Sequence, residues 1–172
     1  LNMGKITLKP EPRSLLLIDD EPEIIETVFS LLENRGLHIL LARDGREALD
    51  ILAHHPIDAI LSDIRMPRMN GVELVNAVRS MGLATPIMMM TGYADTESTL
   101  AMLRAGVIDV IEKPFSGEKL AQSVTRALEL GVNVRRIHTD LRRFCADRKI
   151  DEKYVGILKY LSIFFPQQDV ER

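Results

Sequence analysis

The chain has 172 residues, 46% of them hydrophobic, and a formal net charge of -3. That length and apolar content suffice for one domain of ordinary size with an appendage, and the charge gives no general pull toward nucleic acid. No apolar run reaches the length of a membrane-spanning helix and Cys145 is the only cysteine, so helical membrane proteins and disulfide-stapled secreted domains are excluded.

Residues 1–12 contain Lys5, Lys9 and two prolines rather than an apolar leader. A polar tail on a cytoplasmic chain is expected. From residue 14 onward, short apolar runs alternate with helical patterns. Leu15–Ile18 is the first strand. Pro22 suits a first helical position, and Ile24, Ile25, Val28, Leu31 and Leu32 then share one face up to Gly36. His38–Ala42 is the second strand; the Asp44-Gly45 turn leads into a helix with Ala48 and Leu52 inward. Ala59–Leu61 is the third, followed by a helix marked by Leu74, Val75, Val78 and Met81 and closed by Gly82. Ile87–Met90 is the fourth, and a helix from Thr96 to Ala105 stops at Gly106. Val107–Ile111 is the fifth, and Ser116 caps a helix with Leu120, Val124 and Leu128 inward. Several of these strands are apolar throughout, as in strands covered on both faces. Five strand–helix units predict an α/β fold with a doubly wound parallel sheet and helices on both faces.

Right-handed crossovers bring all strand C-termini to one rim, where such sheets bind ligands. After the first strand come Asp19, Asp20 and Glu21. After the third comes Asp63, after the fourth Thr91, after the fifth Lys113; the second offers only Arg43 and Asp44. Clustered carboxylates stay ionised when a cation sits among them, and hard oxygen ligands with room for water suit Mg²⁺. A lysine and a hydroxyl opposite such an ion would hold phosphoryl oxygens, which is the chemistry of phosphoryl transfer. One carboxylate would then be the acceptor; the pattern alone does not choose it. Each acid could instead cap a helix, and Lys113 could pair with Asp63 for structure alone.

Those residues resemble the receiver domain of two-component response regulators. The resemblance covers roughly Arg13 to Leu130. It rests on the pair Asp19-Asp20, on "SDIRMPRMNG" with Asp63, on "TGYAD" with Thr91 and on "EKPF" with Lys113. Met66, Pro67 and Gly71 follow Asp63 by three, four and eight positions, and Lys113 follows Thr91 by 22. The resemblance implies a flavodoxin-like sheet in the order 2-1-3-4-5. It implies Asp63 as phosphoacceptor from a sensor histidine kinase. It implies Mg²⁺ on Asp20, Asp63 and the backbone carbonyl of Arg65, with Asp19 acting through water. Lys113 would pair with the phosphoryl oxygens, Thr91 would hydrogen-bond to one of them, and Gly92 would leave the site open. One position departs from the family. An aromatic residue usual three before the lysine is Val110 here; Tyr93, two after Thr91, is either a compensating aromatic or, more commonly for such a position, an exposed loop tyrosine. Arg65 and Tyr93 flank the site, where the family tunes the lifetime of its phosphorylated state.

Two other functions could use the same rim. A Mg²⁺-dependent phosphatase working through an aspartyl-phosphate would want a second acid two residues after its nucleophile. Arg65 follows Asp63 there, and only Glu21 follows Asp19. A phosphorylation-independent interaction module would have no use for intact acceptor, metal and lysine positions. The expectation is therefore a regulator that supports only its own phosphorylation and dephosphorylation.

Residues 131–172 carry no strand pattern. Leu130, Val134, Ile137, Leu141 and Phe144 repeat at spacings of 4, 3, 4 and 3, a heptad seam. Gly131 reads as a weak point in a helix continuing through it, costing about 1 kcal/mol relative to Ala. The seam needs a partner: a second copy, giving a homodimer through 130–165, or a second helix capped by Asp151 with Tyr154, Ile157, Leu158, Leu161 and Phe165 inward. Arg135, Arg136, Arg142, Arg143, Arg148 and Lys149 against Asp140 and Asp147 leave six minus two, or +4. A solvated face beside a seam accounts for these charges, and the segment is short for a DNA-binding domain. His138 reads as a surface residue and Cys145 as core.

Overall fold

The structure, a computed structural model, describes residues 13–92 and 96–148. Strands and helices alternate: β1 (Arg13–Ile18), α1 (Pro22–Leu32), β2 (Leu37–Ala42), α2 (Gly45–His54), β3 (Ala59–Asp63), α3 (Gly71–Ser80), β4 (Ile87–Thr91), α4 (Thr96–Arg104), β5 (Asp109–Glu112) and α5 (Gly117–Arg148). The five strands pair in parallel in the order β2-β1-β3-β4-β5, as expected. The tail 1–12, Tyr93 and the expected second tail helix, Asp151 to Phe165, lie outside the described residues.

Strand alternation divides the core into two layers. Leu16, Ile18, Ile60, Ile87 and Met89 point to one face, where α2 and α3 bring Ala48, Leu52, Leu74, Val75 and Val78. Leu15, Leu17, Leu61, Met88 and Met90 point to the other, against Val28 and Leu32 of α1 and Leu120, Val124 and Leu128 of α5. The inner strands β1, β3 and β4 are therefore apolar at both parities. Edge strand β2 is only partly covered. Leu31 and Met81, on the apolar helical faces read from the sequence, are exposed, 37% and 45%. Met81 is already the C-cap of α3, where the helical face it was counted on ends.

Caps follow local chemistry. Asn70 and Glu73 form a reciprocal capping box on α3. Ser116 Oγ accepts from the Lys119 N–H at the start of α5. Helix α1 ends through a short 3-10 turn, Glu33–Arg35, and Gly36 at φ 67° then turns the chain into β2.

The role of Arg79 is not legible in the sequence. From α3 it donates to the carbonyls of Leu83 and Thr85 with Nη1 and of Gly106 with Nη2, all at 3.0 Å. These carbonyls lie in loops entering β4 and β5, so one guanidinium ties α3 to both. Arg79→Ala is expected to cost about 2 kcal/mol in urea unfolding. A loss below a few tenths would show that water replaces these bonds.

Helix α5 runs unbroken through Gly131. Gly131 lies against the backbone of Asp58, and any Cβ there would overlap the Asp58 carbonyl. Val134 is buried, and Arg135 Nη2 lies 3.3 Å from Oδ1 of the buried Asp58. Asp58 Oδ2 accepts from the Ser14 N–H at 2.9 Å. Arg135 therefore does not belong to a purely solvated face: it neutralises a buried acid just before β3.

Candidate functional site

Register brings the rim together. Ile18 pairs with Ser62, so Asp19 continues β1 beside Asp63 at the end of β3. Asp63 pairs with Met90, and Thr91 with Glu112, so Thr91 and Lys113 follow on the next two strands. Asp63 and Thr91 are the last residues of their strands rather than the first of the loops. Both therefore stand on backbone held by sheet hydrogen bonds.

Lys113 bridges the two inner acids. Its Nζ donates to Asp19 Oδ2 at 2.9 Å and to Asp63 Oδ1 at 2.7 Å. The second oxygen of each acid accepts a backbone amide: Asp19 Oδ1 from Glu21 N at 2.9 Å, and Asp63 Oδ2 from Arg65 N at 2.6 Å. Asp19 is fully buried and Asp63 nearly so, while Asp20 is exposed. Burial raises the pKa of Asp19, and the hydrogen bond from Lys113 pulls it partway back. Burial also works against the Lys113 ammonium, but its bonds to Asp63 and Asp19 together outweigh that and raise its pKa. Lys113 is in turn set by its own N–H, which donates to the Thr91 carbonyl at 2.6 Å.

The loop after Asp63 is held at both ends. Ile64 N–H donates to Met90 O at 3.2 Å, and Gly71 N–H to Ile64 O at 2.9 Å. A Cβ on Gly71 would come within 2.6 Å of Asp63 O, so only glycine lets α3 start that close. Met66 is buried and packs with the α2–α3 layer. Gly92 is exposed with open space around it, and Val110 is half-buried against the same layer as Met89.

Asp19, Asp20 and Asp63 set three carboxylates against one ammonium, leaving two negative charges unbalanced. That donor set fits a small hard divalent cation. Among the described residues no group of three or more carboxylate, imidazole or thiolate ligands forms a ready cage; the Lys113 ammonium already bridges Asp19 and Asp63. Asp44 and Arg68 also contribute: their ion pair joins the start of α2 to the loop after Asp63. The sequence marks Asp44 as a strand-end and turn residue but does not reveal Arg68 as its partner.

The model of the response regulator receiver domain family matches residues 15–125. The regulatory protein AtoC of Escherichia coli is 36% identical over 116 residues, covering 67% of this chain and 25% of AtoC. The response regulator MprA of Mycolicibacterium vanbaalenii is 38% identical over 109 residues, 63% of this chain and 47% of MprA. The chain thus spans half or less of these relatives. Among solved structures, the chemotaxis response regulator CheY4 of Vibrio cholerae superposes with a TM-score of 0.64 at 34% identity, covering 68% of this chain and 99% of CheY4. The receiver domain of a signal transduction histidine kinase from Syntrophus aciditrophicus superposes at 0.62 and 32% identity, covering 68% of this chain and 90% of that one. No described helix is long and apolar enough to cross a membrane.

Proposed function

Because this chain belongs to the response regulator receiver domain family, we propose that it accepts a phosphoryl group on Asp63 from the phosphohistidine of a sensor histidine kinase. The observation that carries this is the Lys113 ammonium held between Asp19 and Asp63 at the strand ends. A carboxylate oxygen of Asp63 forms the new P–O bond while the P–N bond of the donor breaks. The imidazole nitrogen leaves with the bonding pair and takes up a proton. The product is an acyl phosphate.

Asp20, Asp63 and the Arg65 carbonyl would hold Mg²⁺ directly, and Asp19 through water; when bound, the ion supplies neutralising charge to the phosphoryl oxygens. The rest falls to the chain itself. Lys113, already 2.7 Å from Asp63, turns its ammonium to the arriving oxygens. The Arg65 N–H holds the Asp63 carboxylate in one orientation. Thr91, one strand over, hydrogen-bonds to a phosphoryl oxygen. Its displacement would shift the states of α4, β5 and α5.

In this reading residues 13–130 are the receiver and 131–172 the output extension of a cytoplasmic regulator. It turns over no separate substrate, and the basic charges of α5 serve solubility and the Asp58 contact rather than DNA binding.

Intact-mass measurement after incubation with acetyl phosphate and Mg²⁺ tests it, with Asp63→Ala run alongside. One added phosphoryl group on the parent, none on the variant and none when Mg²⁺ is chelated is the expected result. A phosphorylated Asp63→Ala chain would move the acceptor elsewhere. A folded parent that gains no mass from either acetyl phosphate or a phosphorylated kinase would end the proposal.

A further inference from the structure

Asp44 carries more negative charge than its capping role needs. Its Oδ1 alone caps α2, accepting from Arg46 N at 2.7 Å and Glu47 N at 3.0 Å. A neutral Asn or Ser would cap as well. Its Oδ2 is equally buried and hydrogen-bonds to nothing among the described residues. A buried, charged oxygen of this kind needs a counter-charge, and the guanidinium that reaches it is Arg68, from the loop after Asp63.

Arg68 holds a backbone that side chains other than glycine rarely adopt, with φ at 62°. Such conformations persist where the surroundings over-determine them. The neighbouring contacts do so here. Gly45 N–H donates to Met69 O at 3.2 Å, and Met69 packs so closely on Gly45 that a Cβ there would lie 2.5 Å from its Cγ. Met69 N–H in turn donates to Pro67 O at 2.6 Å. The middle of the Asp63 loop is thus moored to the first turn of α2, while its ends are tied to β4 and α3.

The loop carries the Arg65 N–H that orients Asp63 Oδ2. We infer that Asp44 and Arg68 are positioning residues for phosphoryl acceptance, mooring the loop so that Asp63 is presented in one orientation. This rests on Asp63 being the acceptor. A misplacement of this kind acts on the rate of the chemical step more than on donor binding.

The test compares the parent with Arg68→Ala, Arg68→Lys, Asp44→Asn and the Arg68→Ala/Asp44→Asn pair. Asp44→Asn keeps the cap, and both Arg68 variants keep a side chain at positive φ. Acetyl phosphate and Mg²⁺ serve as probes, with intact mass followed in time, circular dichroism for folding, and amide exchange over residues 64–71. The two single removals should slow phosphorylation at saturating donor about ten-fold with little change in half-saturating donor concentration. Arg68→Lys should recover most of the rate. The double variant should be no slower than either single, and the loop amides should exchange faster in the slow variants. Variants that match the parent, or rates that fall only with the folded fraction, overturn the inference while leaving Asp63 as acceptor. A parent that takes no phosphoryl group sinks both readings.

Discussion

Lys113→Ala is expected to lose about 3 to 5 kcal/mol of stability at pH 8 in buffer free of divalent cations, and distinctly less at pH 5. The reason is the burial of the pair it leaves behind. Asp19 is fully buried, Asp63 nearly so, and the ammonium at 2.9 and 2.7 Å is their shared counter-charge. In the parent, burial already raises the pKa of Asp19, and Lys113 supplies the largest opposing effect. Without the lysine that pKa rises further. The folded chain then binds a proton more tightly than the unfolded chain, so stability falls as pH rises through the folded-state pKa. Acid therefore relieves the variant.

The lysine's own titration has the same sign but lies at the alkaline end. Its pKa is raised on folding, so its contribution is present below the unfolded value and is lost as pH climbs through the folded one. Parent and variant should therefore converge in strong alkali. Urea unfolding at several pH values reads all of this. Equal losses at pH 5 and pH 8 would mean that Asp19 does not bear the uncompensated charge.

Gly131→Leu is expected to destabilise the chain by about 3 kcal/mol, and Gly131→Ala by a smaller amount of the same sign. The sign is what decides. Helix propensity alone makes alanine better than glycine by about 1 kcal/mol in a helix interior, so a loose α5 would be stabilised by it. Instead the glycine lets α5 touch the backbone of Asp58, with Val134 and Arg135 sealing the contact one turn on. A methyl group must push the helix from the base of the sheet. Thermal unfolding of Gly131→Ala settles it: a raised Tm would show that the contact yields freely. A lowered Tm would mean the extension leaves the domain as a helix locked to the body, with its direction set at the start of β3.

The alternation of strands and helices, the burial of β1, β3 and β4 on both faces, and the chemistry gathered at the rim are all written in the order of the residues. These follow from local rules. A strand apolar at both parities must be covered twice, and parallel crossovers leave no choice about which strand ends meet. Asp19, Asp63, Thr91 and Lys113 were legible because each stands where an apolar run stops.

Only the tertiary structure decided how those groups are held. The ion pair of Asp44 with Arg68, the bond from Arg79 to the Gly106 carbonyl, and the closeness of Gly131 and Arg135 to Asp58 join residues far apart in sequence. No periodicity links such partners. Each looked ordinary alone: a turn acid, a helix-surface arginine, a helix-breaking glycine. Their roles arise when packing removes water from one partner and leaves its charge or its backbone with a single neighbour to answer it.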